Sequence, residues 1–553
     1  MNTAQSDPIA VVGIAAIMPQ APNGETFWAN LKKGVYSITD VPPERWDPAV
    51  YYDADRTAVD KTYSRIGGWV RDFEWNPIAW RLPVPPKVAE QMDQGQRWAV
   101  SAARSALHDA GYPDWKVDGD RVAVIFGNAI GGEKHYLSSM RIRLPEMLRK
   151  LQESPTLQQL APDVQRRIIE ETHALYREQA FDITEDTMPG ELSNVMAGRV
   201  ANLFNLRGPN FTTDAACASA LAAIDNAVMG LRERRFDAAV CGGVDRNMGV
   251  DAFVKFCKIG ALSATGTRPF DAGADGFVMG EGAAVFVLKR LEDAERDGDR
   301  IYATILGIAG SSDGKGKGIT APNPIGQQLA VRRAWEDSGE DMGTVSAIEA
   351  HGTSTRVGDA AELASLSEVF ASAGLAPRSV ALGSVKSNIG HLKAAAGAAG
   401  LFKMVRSLHE GILVPSLHFV DPNPGVDWDT SAFAVNTTLR EWPQPRGGIR
   451  RAGVSAFGFG GTNFHVVVEE HVPGRHKPRP TVHASAQVPQ GQSTTPAATP
   501  IIMDIHPTTK AKAPLRGALV LGAADDAELV QRLTAARDAA RAGQVPPTAA
   551  PDR

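Results

Sequence analysis

The sequence predicts an α/β fold made of two similar halves, on three observations. Short runs of β-branched and small apolar residues recur between about residues 8 and 471: IAVVGIAA, RVAVIFGN, DAAVCGGV, AAVFVLK, VSAIEAHG and SVALGSVK. Unbroken apolar runs of this length read as strands buried on both faces. Between them lie stretches with apolar residues at three- and four-residue spacing, at 88–110, 217–235, 323–338, 359–372 and 392–410, which read as helices. Finally, two segments share one layout of apolar strand, polar loop and Ala/Gly-rich helix: FTTDAACASALAAIDNAVMGL and LGSVKSNIGHLKAAAGAAGLFKMV. Small residues let helices pack closely, so two such helices face to face form a middle layer between two sheets. A duplicated half-domain is the simplest explanation, with chance likeness of two Ala-rich helices as the alternative.

Composition narrows the class. The chain has 553 residues, 43% of them hydrophobic, enough for a large core or two fused halves. Its formal net charge is -5, and no Lys/Arg-rich run follows the pattern of a phosphate-backbone reader, which argues against a nucleic-acid partner. No stretch approaches the roughly 18 to 20 apolar residues of a membrane span, and the start, MNTAQSDPIAVVGIAA, lacks the basic segment of a signal peptide. The expectation is a soluble, cytoplasmic enzyme. The three cysteines, Cys217, Cys241 and Cys257, form no CxxC pair and neighbour no closely spaced histidines, so neither a disulfide framework nor a metal site is expected.

Two regions depart from the alternating pattern. Residues 131–185 are charged, helical in pattern and poor in strand signals, an insertion on the surface. Residues 472–515 turn to Pro, Ala, Ser, Thr and Gln, a composition that cannot bury enough apolar surface to order itself, and read as a flexible linker. Beyond it, 516–553 reads as one strand and one amphipathic helix, the truncated start of a following linker or module.

Four motifs carry chemistry. Cys217 stands where a strand ends and a helix begins, with Leu221, Ile224, Val228 and Leu231 marking one helical face after it. Unpaired amides and the macrodipole at a helix N-terminus favour an anion, so the thiol pKa is expected to fall. Cys241 and Cys257 fit small buried hydrophobes better. His351 ends the apolar strand VSAIEA and opens the loop HGTSTRVGD, at the strand edge where α/β sites gather, though a structural histidine also fits there. His391 begins its own small-residue helix five residues after Lys386. A nearby cation keeps an imidazole neutral, leaving one N–H to donate. In SAFGFGGTNFHVVVEE a glycine-rich turn between strands carries Phe457 and Phe459; it can bring backbone close to a ligand and swing an aromatic lid, or be an ordinary hairpin.

In this order and spacing DAACASA, EAHGTSTRVGD, GSVKSNIGHLKAAAG and SAFGFGGTNFH resemble the signatures of the β-ketoacyl synthase family, especially type I polyketide and polyunsaturated fatty acid synthases. PIAVVGIAAIMPQAPNGETFWANL, DTMPGELSNVMAGRVANLFNLRGPNF and RPFDAGADGFVMGEGAA support the likeness, which covers about residues 8–471. The insertion followed by EDTMPGELSNVMAGR is more like the fatty acid and iterative polyketide branch.

The resemblance implies a thiolase fold, two duplicated βαβ-rich halves in five α-β-α-β-α layers, here expected at 8–265 and 266–471. It implies that Cys217 takes an acyl chain from an acyl carrier protein. His351 and His391 would bind the thioester carbonyl of malonyl carrier protein and stabilise the enolate left by CO2. The amides of Cys217 and Phe459 would hold the oxyanion of the following attack, Phe459 would gate, and Lys386 would fix His391. Some discrete fatty acid synthases have a glutamate where this chain has Gly400, so Lys386 is not expected to find a carboxylate partner there. No cofactor is implied in the protein itself, since substrates ride on the phosphopantetheine of the carrier. Implied partners are the acyl carrier protein, malonyl and acyl thioesters, a second copy in a homodimer, and neighbouring synthase domains. The competing readings are a non-elongating ketosynthase that only binds or passes on acyl chains, a Cys/His hydrolase, and a dimerising scaffold.

Overall fold

The computed structural model describes residues 7–476, apart from 180, 317, 320 and 446, together with 523 and 525–542. It divides into two units, 1–476 and 477–553. In the second, the helix Asp526–Arg541 is described, capped where the Asp525 side chain accepts the Glu528 amide. Most of the expected linker, and the strand expected after 516, lie outside the described residues.

The first unit contains an eleven-stranded sheet. One end runs in the order Asn210–Thr213, Val122–Gly127, Ala238–Asp245, Gly282–Arg290, Ile9–Ile17. The other runs outward from Ala303–Ser312 through Thr462–Glu469, Arg451–Gly458, Ala347–Glu349 and Val380–Gly383 to Phe433–Val435. The two ends are a five-stranded and a six-stranded sheet, joined among the described residues only where Ile9–Val11 pairs with Ala303–Ile305. Each end starts with two antiparallel pairings, Ile9–Ile17 to Gly282–Arg290 to Ala238–Asp245 in one and Ala303–Ser312 to Thr462–Glu469 to Arg451–Gly458 in the other. Each continues with two parallel pairings, and the second adds a third, Val380–Gly383 to Phe433–Val435. The duplicated layout read in the sequence thus recurs as duplicated topology. Gly282–Arg290 lies beyond residue 265 yet pairs within the first sheet. The turn-rich stretch before it hides that return from a linear reading.

Alternation along the strands separates three cores. In Ile9–Ile17 the residues Ile9, Val11, Ile14 and Ala16 face a central core, while Ala10, Val12, Ala15 and Ile17 face an outer one. The register slips between Val11 and Gly13, and a side chain at Gly13 would lie 2.3 Å from the Ala106 carbonyl of the covering helix. That helix, Gln94–Asp109, with Ser193–Leu203, covers the first sheet's outer face. Pro324–Ser338 and Arg356–Phe370 cover the second through Trp335, Leu363 and Leu366. Between the sheets lie Ser219–Arg232 and Ala396–Glu410, the two Ala/Gly-rich helices, buried over most of their length. The result is five layers, α-β-α-β-α. Small side chains make it possible: a Cβ at Gly397 would sit 2.8 Å from Leu221 Cγ.

The expected helix 88–110 divides into Pro86–Gln91 and Gln94–Asp109, because Asp93 accepts the Gly95 amide at 2.7 Å and caps a new helix. The 131–185 insertion holds the helices Lys134–Gln152, Pro155–Gln158 and Pro162–Gln179. None of the described helices is long and apolar enough to cross a membrane.

Candidate active site

Cys217 lies in a single 3₁₀ turn, Ala216–Ala218, between the strand Asn210–Thr213 and the helix Ser219–Arg232. The turn is strained: Ala216 has φ +48°, a left-handed conformation costing a non-glycine residue about 1–3 kcal/mol. Ser219 holds it. Its Oγ accepts the Ala215 amide at 2.9 Å and donates to the Ala216 carbonyl at 2.6 Å, while Asp214 Oδ1 accepts the Ala216 amide at 2.9 Å.

Across from this elbow is the hairpin joining Arg451–Gly458 to Thr462–Glu469. A Cβ at Gly458 would lie 2.3 Å from the Ala215 carbonyl, so glycine alone permits this approach. Gly460 and Gly461 complete the turn at φ +98° and +81°. The Phe459 amide thereby hydrogen-bonds Cys217, while its ring is exposed.

Half-buried Cys217 differs from Cys241 and Cys257, which are buried. Burial nevertheless pushes the Cys217 thiol above its ordinary value, opposed by the Phe459 amide and the charges of Lys386 and Lys393, with Asp245 adding to the rise. The helix N-terminus suggested a lowered thiol; desolvation within the closed site reverses that direction.

His351 follows the strand Ala347–Glu349 and is clamped by its backbone. Its amide donates to Glu362 Oε1 at 2.7 Å, the next amide, Gly352, donates to Oε2 at 2.8 Å, and the Lys386 ammonium donates to its carbonyl. The ring accepts the Phe457 amide at Nδ1, 3.3 Å away. His391 donates its amide to the Val278 carbonyl at 2.7 Å, and its ring accepts the Lys393 amide at Nδ1, 2.9 Å away. In both rings an amide claims Nδ1, so the neutral tautomer carries its proton on Nε2. The rings stand 5.3 Å apart and nearly perpendicular, at 84°. Burial and the Lys386 charge hold both imidazoles well below their ordinary range, with His351 and Lys393 adding to the effect on His391.

The five residues singled out in the sequence therefore gather in one place: Phe459 on Cys217, Lys386 on His351, and His351 beside His391. Five further charged residues support them and were missed: Glu349, Asp359, Glu362, Asp245 and Lys393. Asp359 and Glu362 had a signal, since a three-residue spacing in RVGDAAE puts both on one helical face. Asp359 accepts the Phe270 and Ser354 amides at 2.7 and 3.1 Å, and burial pushes it up to about 7. Lys393, at φ +47°, pairs with Asp245 at 3.0 Å and donates to the Gly280 carbonyl at 2.7 Å. A surface groove of about 420 Å³ lined by Tyr302, His409, Glu441 and Arg450 shares none of these residues.

Comparison with known proteins accords with this geometry. The family models for the β-ketoacyl synthase N-terminal domain, C-terminal domain and ketoacyl-synthetase C-terminal extension match residues 6–294, 302–420 and 422–520. A component of the phenolphthiocerol/phthiocerol polyketide synthase of Mycobacterium tuberculosis is 38% identical over 84% of this chain, which spans 23% of that protein. A component of the polyunsaturated fatty acid synthase of Thraustochytrium is 36% identical over 84% of the chain and 16% of its own length. The chain thus spans under a third of these relatives. Among solved structures, the ketosynthase from module 6 of the Bacillus subtilis bacillaene synthase is 34% identical with a TM-score of 0.70, covering 84% of this chain and 73% of that one. The Streptomyces albus oxazolomycin ketosynthase domain is 32% identical with a TM-score of 0.72, covering 85% and 75%. This chain belongs to the β-ketoacyl synthase family.

Proposed function

We propose that the chain is the condensing domain of a larger polyketide or fatty acid synthase, joining an acyl group on Cys217 to a malonyl unit by decarboxylative Claisen condensation. The observation that carries this reading is the pair of neutral imidazoles, each with Nδ1 occupied and Nε2–H free to point at one oxygen.

Cys217 first attacks an acyl carrier thioester, and its proton ends on the departing phosphopantetheine thiol. Malonyl carrier protein then places its thioester carbonyl before the two Nε2–H donors. The C–CO2 bond breaks, its electron pair moves onto that carbonyl oxygen, and the two hydrogen bonds hold the enolate. The enolate carbon attacks the acyl-Cys217 carbonyl. The Cys217 and Phe459 amides face the developing oxyanion, the C–S bond breaks, and the thiolate takes up a proton. Phe459, exposed on its glycine turn, suits a gate over this sequence. Retention of Cys217, His351 and His391 favours elongation over passive acyl transfer.

Further parts of the reading concern organisation. The first half runs through Gly282–Arg290 and the second from Ala303–Ser312, followed by a linker after 476. A homodimer forms through the unpaired outer edge of Asn210–Thr213, the end strand of the sheet. The domain is cytoplasmic and meets its carrier protein beside neighbouring synthase domains. Mass spectrometry of the full chain after acyl carrier and then malonyl carrier protein tests the central reaction. Acylation of Cys217 followed by a β-ketoacyl carrier product is expected; acylation with no product would leave only transfer.

A further inference from the structure

Lys386 is 4% exposed, and its ammonium donates to a neutral acceptor, the His351 carbonyl. A buried cation needs a counter-charge nearby. Three buried carboxyls, Glu349, Glu362 and Asp359, act on it from beyond ion-pair distance. Asp359 and Glu362 are occupied by backbone amides, and burial pushes both upward.

Glu349 is differently placed. It lies on the strand Ala347–Glu349, two residues before His351, and is 2% exposed. Its Oε1 accepts the amide of Val385, the residue preceding Lys386, at 2.6 Å, and its Oε2 pairs with Lys403 at 2.7 Å. Space for it exists because helix Ala396–Glu410 carries Gly400 at the contact. A Cβ at Gly400 would lie 3.0 Å from Glu349 Cγ and 3.5 Å from Oε1. The corresponding strand end in the first half, Gly127, has no such room: a Cβ there would lie 2.3 Å from the Ser219 backbone.

We propose that Glu349 is a positioning residue for this site: seated in the cleft left by Gly400 and braced by Lys403, it is the counter-charge that keeps the Lys386 ammonium against the His351 carbonyl. The role in condensation rests on the function proposed above; the electrostatic role does not. Among the charges near Lys386, that of Glu349 acts most strongly to keep it protonated, followed by Glu362, Cys217 and Asp359, while burial opposes them. Lys403 faces Glu349 from the helix, and the Lys386 charge in turn acts on both imidazoles and on Cys217.

The direction of the effect follows. Removing the Glu349 charge lowers the Lys386 pKa further, so Lys386 loses its proton at lower pH. Neutral Lys386 no longer draws down the Cys217 thiol, so that thiol rises.

The test uses Glu349→Gln in the full chain, checked by melting. Two pH profiles are read: CO2 release from malonyl carrier protein, and alkylation of Cys217 by iodoacetamide followed by mass spectrometry. The alkaline limb of CO2 release should move down, and the alkylation profile up, each by about one pH unit or more. The relocated variant Glu349→Ala/Gly400→Glu, with the carboxylate on the helix, should recover most of the CO2 release; Gly400→Glu alone should not. Both Glu349→Gln profiles superimposing on the parent's would overturn the proposal. If Glu349→Gln does not fold, the relocated variant decides: folded with CO2 release supports the proposal, misfolded or inactive overturns it. A parent chain that releases no CO2 removes the condensation reading, and the alkylation profile still judges Glu349.

Discussion

The two halves of the molecule use one backbone device for different purposes. Each bends from its parallel strands into its central helix through a 3₁₀ turn whose first residue is left-handed, Ala216 at φ +48° and Lys393 at φ +47°. Each elbow is braced by the other half. Asp245, ending the strand Ala238–Asp245, accepts the Ala394 amide at 3.2 Å and pairs with Lys393. At the equivalent strand end in the second half, Gly458 lies against Ala215 and Phe459 donates to Cys217. Side chains then part company: the first elbow carries a thiol where the second carries Ala394, and the second half supplies histidines, lysines and carboxylates. Duplication provided two matched scaffolds, and chemistry divided between them, nucleophile in one and, Asp245 apart, charge control in the other.

The largest expected effect tests that division. Cys217→Ala should bind no acyl group and form no β-keto product. Adding Ala394→Cys should restore neither, although it places a thiol on the equivalent elbow, because Ala394 is fully buried. Peptide mapping after incubation with acyl carrier protein reads this directly. Acyl label at position 394, or at Cys241 or Cys257, would break the comparison.

The histidines come next. His351→Ala and His391→Ala should each still load acyl groups yet lose about 2.7–4 kcal/mol of transition-state stabilisation, about 10²–10³ in rate, in release of labelled CO2. Unchanged release would contradict the assignment. Both rings are held well below the ordinary histidine range by burial and Lys386, so each remains neutral, and keeps its amide-fixed tautomer, down to pH values below that range. Decarboxylation should therefore show no acid limb where free histidine titrates, about pH 6.5. The thiol shifts the other way: Cys217 alkylation should keep rising with pH beyond the ordinary thiol value.

These contrasts also show what a linear reading can reach. The nucleophile, the histidines, Lys386 and Phe459 each lie in a local pattern, a strand end meeting glycine or small-residue helix, and such patterns are visible within about a dozen residues. The layered fold was legible because Ala/Gly-rich helices have few other uses. The bracing was not. Asp245 lies 148 positions before Lys393, and the place of Glu349 depends on a glycine one helix away. The thiol's direction also escaped, since a helix N-terminus can be read from sequence whereas water exclusion depends on what closes over it.

A smaller effect should appear in stability. Gly397 and Ala220 occupy matching places in the two central helices, the third residue after Ala394 and Cys217, and a Cβ at Gly397 already meets Leu221 and Ala456 at 2.8 and 3.2 Å. Gly397→Val should cost about 1–3 kcal/mol through overpacking. Denaturant midpoints measure it, and an unchanged midpoint would show that the middle layer can yield.

The smallest effect is expected from removing residues 477–553. The last strand of the first unit, Thr462–Glu469, is paired on both sides, with Arg451–Gly458 and with Ala303–Ser312, so the sheet is closed there. The residues just after it are tied in as well: Arg475 bonds Glu340 and Glu469, each at 3.0 Å, and His476 bonds Glu469 at 2.8 Å. A chain ending at His476 keeps all of these contacts, and the sequence after it has a composition that buries little. Its melting temperature and condensation rate should match those of the full chain. The match of the C-terminal extension family model as far as residue 520 points to the rival outcome, in which the segment beyond 476 packs as part of the domain. Loss of several degrees, or aggregation of the shorter chain, would then extend the domain past His476. A cut before Arg475 is the control: it removes the ion pairs with Glu340 and Glu469, among the described residues buried Glu469 keeps only Arg451 as an ion-pair partner, and stability should fall even if the cut at His476 is silent.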